Sequence, residues 1–349
     1  MELSSCASSN DGRYSMAITT LVIGLLLSNV VDTANAIGTC YGMLGNDLPS
    51  PQRVVSDYNR YNIKGMRIYG PVSSLSQALQ GSPIAVMVGV PNQDLPGIAM
   101  SQSTADSWVQ NNIMKYPGVR WKYISAGNEI RPNLDNGGAQ YARYVLPAMQ
   151  NLQTSVNKFG LRIKVSTALE TGICINTYPP SQGQFDPSIS GYILPIVKFL
   201  AANGSPLFLN VYPYFAYIYT PNMDIRYALF TSPNVVVQDG QYGYQNLFDA
   251  IVDSVYSALE KAGTGMVQIV VTETGWPTAG DKATSIANAQ TYNNNLIQHV
   301  KNGTPKRPSK AIETFIFDMY NENLKTPERE KHWGLFKSNG EQKYPIDFN

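Results

Sequence analysis

Histidine and cysteine are nearly absent: the 349-residue chain has 2 histidines and 3 cysteines. Too few soft ligands remain for a zinc cluster or a zincin pair, and no metal or other cofactor is expected. Charge is scarce as well. Charged residues form 15% of the chain, against about 25% in an average soluble domain. With 26 basic and 25 acidic side chains, the chain lacks the basic footprint that nucleic-acid binding needs, and no nucleic-acid partner is expected. There is no G-x-S-x-G elbow, no glycine-rich phosphate loop after the first apolar run and no calcium loop. His299, near the end of a helical segment, and His332, beside Trp333, lack the neighbours of a catalytic triad.

Long apolar runs are also missing, apart from residues 16–31. That run is too short to span a bilayer comfortably. It is followed by Ala34-Asn35-Ala36, a small-x-small cleavage signal. Residues 1–36 therefore read as a secretory signal peptide, removed before Ile37. Losing Arg13, Glu2, Asp11 and Asp32 takes the formal net charge from +1 to +3. Cys40 and Cys174 remain, each in or beside an apolar segment, and are expected as buried free thiols. The processed chain is expected to be secreted and extracellular in preference to vacuolar, free of the membrane, and monomeric. Two N-glycosylation patterns, at Asn203 and Asn302, read as unoccupied turns, because each is followed directly by proline.

What is present is a regular alternation. Eight short β-rich runs occupy residues 37–41, 65–69, 84–90, 121–126, 162–168, 207–211, 267–272 and 312–319. Most are continuously apolar, as parallel strands buried on both faces are. Helical patterns fill the gaps at 51–61, 103–115, 138–159, 192–203, 244–262 and 285–301. Ser50 followed by Pro51 opens the first of them as N-cap and N1. Eight such units in one undivided chain predict a single α/β domain over 37–349, a (β/α)8 TIM barrel. An open doubly wound sheet is the alternative fold.

Barrel enzymes carry their chemistry at the C-terminal ends of the strands. Reading off the run ends gives Glu129, Glu170, Glu273 and Glu322 as ionisable candidates. Asn128 and Glu129 follow the fourth run, and Glu273 ends the seventh. Two carboxylates on strands facing each other across a barrel mouth are the machinery of glycoside hydrolysis. Aromatic residues point the same way. Tyr212, Tyr214, Phe215 and Tyr217 crowd one segment after the sixth run, Tyr69 ends the second run and Trp276 follows Glu273. Such rings offer flat apolar faces to sugars and, in Tyr and Trp, polar tips to hydroxyls.

An ordered set of motifs then covers the chain beyond residue 36. Residues 37–42 read IGTCYG, and Met66-Arg67-Ile68-Tyr69 and Gly127-Asn128-Glu129 follow. The set continues with residues 210–217, NVYPYFAY, and 271–277, VTETGWP, and closes with Asn321-Glu322-Asn323-Leu324-Lys325 and residues 332–336, HWGLF. With these motifs the chain resembles the plant β-1,3-glucanases of glycoside hydrolase family 17, related to pathogenesis-response glucanases. The resemblance implies endo-hydrolysis of β-1,3-glucan in plant defence or cell-wall and callose turnover, with retention of configuration. It makes Glu273 the nucleophile and Glu129 the acid/base, with carboxyls about 5–5.5 Å apart. It implies that Asn128 contacts the sugar 2-hydroxyl and Tyr212 orients Glu273. Tyr69, Tyr214, Phe215, Tyr217 and Trp276 would contact substrate. Glu322 and Glu330 are rivals for the acid role; Lys325 beside Glu322 suits an ion pair better, so Glu322 and Lys325 are expected to support the cleft and bind substrate, and Glu330 to be structural. A β-1,3-1,4-glucanase and an inactive wall-glucan-binding protein are the alternatives.

Overall fold

The computed structural model describes residues 37–133 and 137–348, so the expected signal peptide lies outside the described residues. Eight parallel strands close into a barrel: β1 Ile37–Tyr41, β2 Gly65–Ile68, β3 Ala85–Val90, β4 Arg120–Asn128, β5 Lys164–Glu170, β6 Leu207–Asn210, β7 Ile269–Thr274 and β8 Thr314–Ile316. Each pairs with its sequence neighbour, and β1 pairs with β8. All eight runs are strands, within a few residues of the expected bounds. Their side chains are buried almost throughout, because the barrel interior takes one face of each strand and the helical ring the other.

Helices α1 Pro51–Arg60, α2 Ser73–Leu79, α3 Leu95–Met100, α4 Gln102–Val109, α5 Ala142–Lys158, α6 Ser190–Asn203, α7 Pro213–Tyr219, α8 Ile225–Ala228, α9 Leu247–Lys261 and α10 Ile286–His299 lie between the strands. Ser50 caps α1 through its side chain, with Pro51 in the first turn. The helix expected over 103–115 instead leaves α-geometry at Gln110 for a π-turn over Gln110–Met114. There the Asn112 amide donates to the Trp108 carbonyl at 2.9 Å, a side-chain competitor for the helix ladder. Cys40 and Cys174 are free and buried. Ser205 and Thr304, which complete the two glycosylation patterns, are 2% and 3% exposed. No helix among the described residues is long and apolar enough to cross a membrane.

Ladder irregularities on β7 and β4 mark the C-terminal face. The β7 register shifts between Val271 and Glu273 against β6, and the β4 register shifts between Ser125 and Asn128 against β5. Such breaks re-aim side chains at strand ends. Within the β4 break Gly127 has φ +78°, and just past it Glu129 has φ +51°. Gly127 is needed there: a Cβ would stand 2.6 Å from Ile130 Cδ1 and 3.0 Å from Asn92 Oδ1. Glu129 takes a left-handed backbone that costs a non-glycine residue about 1–3 kcal/mol. In return the chain turns off the strand and carries the carboxyl into the barrel mouth.

Candidate active site

The mouth opens into a cleft of about 990 Å³, lined on its floor by Tyr69, Asn128, Glu129, Asn210, Tyr212 and Glu273. Glu273 is 6% exposed. Its Oε1 accepts from Arg67 Nη1 and Tyr69 Oη, both at 2.8 Å, and its Oε2 accepts from Tyr212 Oη at 2.7 Å. A carboxylate with three such donors, one of them a cation, is charge-paired and held in one orientation. Both phenols are pushed well above the ordinary tyrosine range, first by burial and with the Glu273 charge adding to it, so they remain donors.

Arg67 is the hub of the floor. It is 2% exposed on β2, inside the barrel. Nη1 also donates to Asn210 Oδ1 at 3.1 Å and to the Thr272 carbonyl at 2.8 Å, and Nη2 donates to Asn128 Oδ1 at 2.6 Å. Burial works against its charge, but the neighbouring Tyr69 and Glu273 raise its pKa overall. Its guanidinium lies 4.7 Å from the Tyr69 ring centre, adding a cation–π contact. The strand-end motif Met66-Arg67-Ile68-Tyr69 carried the signal for this residue. An arginine inside an apolar run must find an anion when it is buried.

Glu129 stands in different company. Asn210 Nδ2 donates to its Oε1 at 2.9 Å. Burial, followed by the Glu273 charge, pushes its carboxyl up to about 7, with Asn210 and Arg67 opposing. Asn210 therefore bridges the two halves, since its Oδ1 takes Arg67 and Thr272 Oγ1 while its Nδ2 takes Glu129. Asn128 is fixed by a reciprocal pair with Asn92: its N–H donates to Asn92 Oδ1 at 2.9 Å, and Asn92 Nδ2 donates to its carbonyl at 3.1 Å.

The aromatic segment divides by helical period. It forms α7, and residues three or four apart share a face. Phe215 and Tyr219 line the cleft, their rings nearly parallel at 11° and 6.4 Å apart. Tyr214 and Tyr217 turn the other way and meet Trp276, at 5.1 and 6.0 Å between ring centres. Tyr214 and Trp276 are fully buried, donating to the carbonyls of Lys282 and Ala283 at 3.1 and 2.9 Å. Neither they nor Tyr217 lines the cleft, which corrects the expectation of sugar contact for these three: they back the wall that α7 presents. Trp333 completes that wall, 5.2 Å from the Tyr212 ring, with its indole N–H on Glu330 Oε2 at 3.0 Å.

Glu322 and Lys325 line the cleft on the β8 side, 3.1 Å apart as an ion pair. Glu330 also reaches the cleft, but pairs with Arg329 at 3.2 Å and holds Trp333. Glu170 faces in from β5 beside Arg131 at 3.0 Å. Among the described residues, no group of three or more His, Cys, Asp and Glu side chains is arranged to hold a metal ion.

Two carboxyl groups in contrasting protonation environments, on the C-terminal face of a (β/α)8 barrel beneath an aromatic wall, define the site of a barrel glycoside hydrolase. The family follows from the chain itself. Residues 37–348 match the model of the glycosyl hydrolases family 17, and the chain belongs to that family. It is 50% identical over 338 residues to a glucan endo-1,3-beta-glucosidase of Vitis vinifera, covering 95% of this chain and 97% of that protein. A basic vacuolar isoform from Nicotiana plumbaginifolia is 47% identical over 339 residues, covering 95% and 92%. The solved structure of a β-1,3-glucanase and allergen of Cryptomeria japonica pollen superposes with a TM-score of 0.87 at 46% identity, covering 90% of this chain and 99% of that one.

Proposed function

We propose that this enzyme cuts β-1,3-glucosidic bonds within β-1,3-glucan chains by two displacements at the anomeric carbon. The observation that carries the reading is the contrast between Glu273, held by three donors of which one is a guanidinium, and Glu129, pushed up to about 7. In the first step a Glu273 oxygen attacks the anomeric carbon. The glycosidic C–O bond breaks, and Glu129 gives its proton to the departing oxygen. An ester between Glu273 and the sugar results. Esterification removes the Glu273 charge that helps raise Glu129, so Glu129 becomes a better base. It then takes a proton from water as the water oxygen attacks the same carbon, and the ester bond breaks to restore Glu273. Two inversions retain the configuration.

Substrate binding falls to Tyr69, Asn128, Tyr212, Phe215, Glu322 and Lys325. Asn128 Oδ1 is already taken by Arg67, which leaves its Nδ2 for a sugar hydroxyl. The experiment is digestion of laminarin and lichenan with product sizing and an NMR time course. Internal cleavage of laminarin with the retained anomer appearing first is expected. Preference for lichenan makes the enzyme a mixed-linkage glucanase, and the inverted anomer first removes the covalent step.

Secretion with removal of residues 1–36 belongs to the same proposal. The barrel's first strand opens at Ile37, so a cut before it spares the fold. N-terminal sequencing of the exported protein tests the cut, and fractionation separates the extracellular space from the vacuole.

A further inference from the structure

The end of the barrel opposite the catalytic mouth carries charge of the other sign. Across the N-terminal side of β4 to β8 lies an open cavity of about 770 Å³, a size that suits a ligand site. Its charged lining is Lys164, Lys301, Lys310 and Glu313, whereas the catalytic cleft is lined by five glutamates and Lys325. Glu313 is already neutralised: both its oxygens accept from Lys122 Nζ at 2.8 Å, and Oε2 also accepts from Tyr123 Oη at 2.7 Å. Three lysines thus surround a cavity whose one carboxylate is committed elsewhere.

The lysines come from separate walls. Lys164 opens β5, Lys301 lies just past α10, and Lys310 precedes β8. Lys164 donates to the Asn203 carbonyl at 3.1 Å, and Lys301 to Gln298 Oε1 at 3.2 Å, both neutral partners. Lys164 and Lys310 are exposed, and among the described residues neither forms an ion pair. Beyond the cavity, exposed Lys64, Lys115, Arg120 and Arg162 continue the positive charge around the same end. The acids there, Glu260 and Glu313, are both in ion pairs. Cations spread in this way match repeated anions on a chain better than one small ion.

We propose that this end of the barrel binds an acidic polysaccharide, a chain of carboxylate-bearing sugars, through Lys164, Lys301 and Lys310, while the mouth stays open to glucan. The lining favours that polymer over other polyanions. Single-stranded nucleic acids stack their bases on exposed rings, but Tyr123 and Tyr256 in this cavity are 7% and 3% exposed. Their hydroxyls are also committed, Tyr123 to Glu313 and Tyr256 to the Ile269 N–H. A lipid surface is met by an apolar face, and of the large apolar side chains here only Met266 is exposed. Gln268 and Ser309 add neutral polar groups suited to sugar hydroxyls. Each lysine ammonium is a compact point charge, able to meet carboxylates spaced along a chain one at a time.

The test is affinity electrophoresis of the full enzyme in polygalacturonate, with neutral galactan as control. Retardation by polygalacturonate alone is expected, and it should vanish between about 0.05 and about 0.5 M sodium chloride as screening shortens the reach of charge. The double variant Lys301→Gln/Lys310→Gln should bind about tenfold more weakly, the loss of two exposed charge contacts. Its kcat and KM on laminarin should equal those of wild type, because both lysines lie at the far end from the cleft. Saturating polygalacturonate should likewise leave the laminarin KM of wild type unchanged. No retardation at low salt, a double variant retarded as strongly as wild type, equal retardation by galactan, or competition with laminarin each overturns the proposal. So does tighter binding of phosphatidylserine vesicles or single-stranded DNA, or complete displacement by millimolar inorganic phosphate. A wild type inactive on laminarin defeats the proposed function instead, and the binding measurements still decide this one.

Discussion

Glu273 stands on strand β7 and Glu129 just past strand β4, on facing sides of one barrel mouth, and in the mechanism proposed above their different surroundings fit them to opposite tasks. Glu273 is encircled by donors: a buried guanidinium and two phenols within 2.8 Å. Glu129 accepts from the Asn210 amide at 2.9 Å, and burial together with the Glu273 charge pushes it up to about 7. The same carboxyl side chain meets a cation in one place and a neutral amide in the other. The difference lies in the hydrogen bonds of Arg67: it donates directly to Glu273, whereas Glu129 receives the amide of Asn210, whose oxygen Arg67 holds.

The largest effect should come from erasing the Glu273 side. Glu273→Gln should lower kcat on laminarin by on the order of 10⁴–10⁶-fold, the range for deleting a nucleophile from a cooperative site. A variant as fast as wild type would falsify the covalent mechanism. Erasing the other side costs less. Glu129→Gln should lower kcat/KM by about 10²–10⁴-fold, the usual contribution of a general acid. It should also flatten the alkaline side of the pH profile. The sign follows from the upward shift. Glu129 must be protonated to act first, so wild-type kcat/KM should fall as pH rises through about 7. If the alkaline limb persists in Glu129→Gln, another group titrates there.

Arg67→Met attacks the difference itself, leaving Glu273 buried with its phenols but no cation. Activity should drop about 10²-fold, and unfolding should become easier by about 3–5 kcal/mol, as for a buried pair that loses one partner. Equal stability in denaturant titrations would show that Arg67 is not the counter-charge described. The smallest change is Tyr212→Phe, which removes one 2.7 Å donor from Glu273 and keeps the ring. A roughly tenfold loss in kcat with little change in KM is expected. A change confined to KM would mean that Tyr212 acts on substrate binding alone and not through Glu273.

The scaffold was legible because strands buried on both faces leave continuous apolar runs, and eight of them recur. The carboxyls were legible because each ends such a run. Arg67 was harder to read, since its polar partners come from β4, β6 and β7 and no local pattern announces them. The aromatic segment misled for a different reason. Read as a loop, residues 212–217 could all face a sugar, whereas the helix that starts at Pro213 sends Tyr214 and Tyr217 behind the wall. The turn of Glu129 into the mouth depends on Gly127, whose role needs the backbone angles to be seen.

The most direct test is the titration of Glu129 itself, followed by NMR of carbon-13-labelled glutamate carboxyls in wild type and in Glu273→Gln. The Glu129 resonance should titrate near 7 in wild type. It should move clearly downward once the Glu273 charge is gone. Titration near the ordinary glutamate value of about 4.3, unchanged by Glu273→Gln, would contradict the division of labour between the two carboxyls.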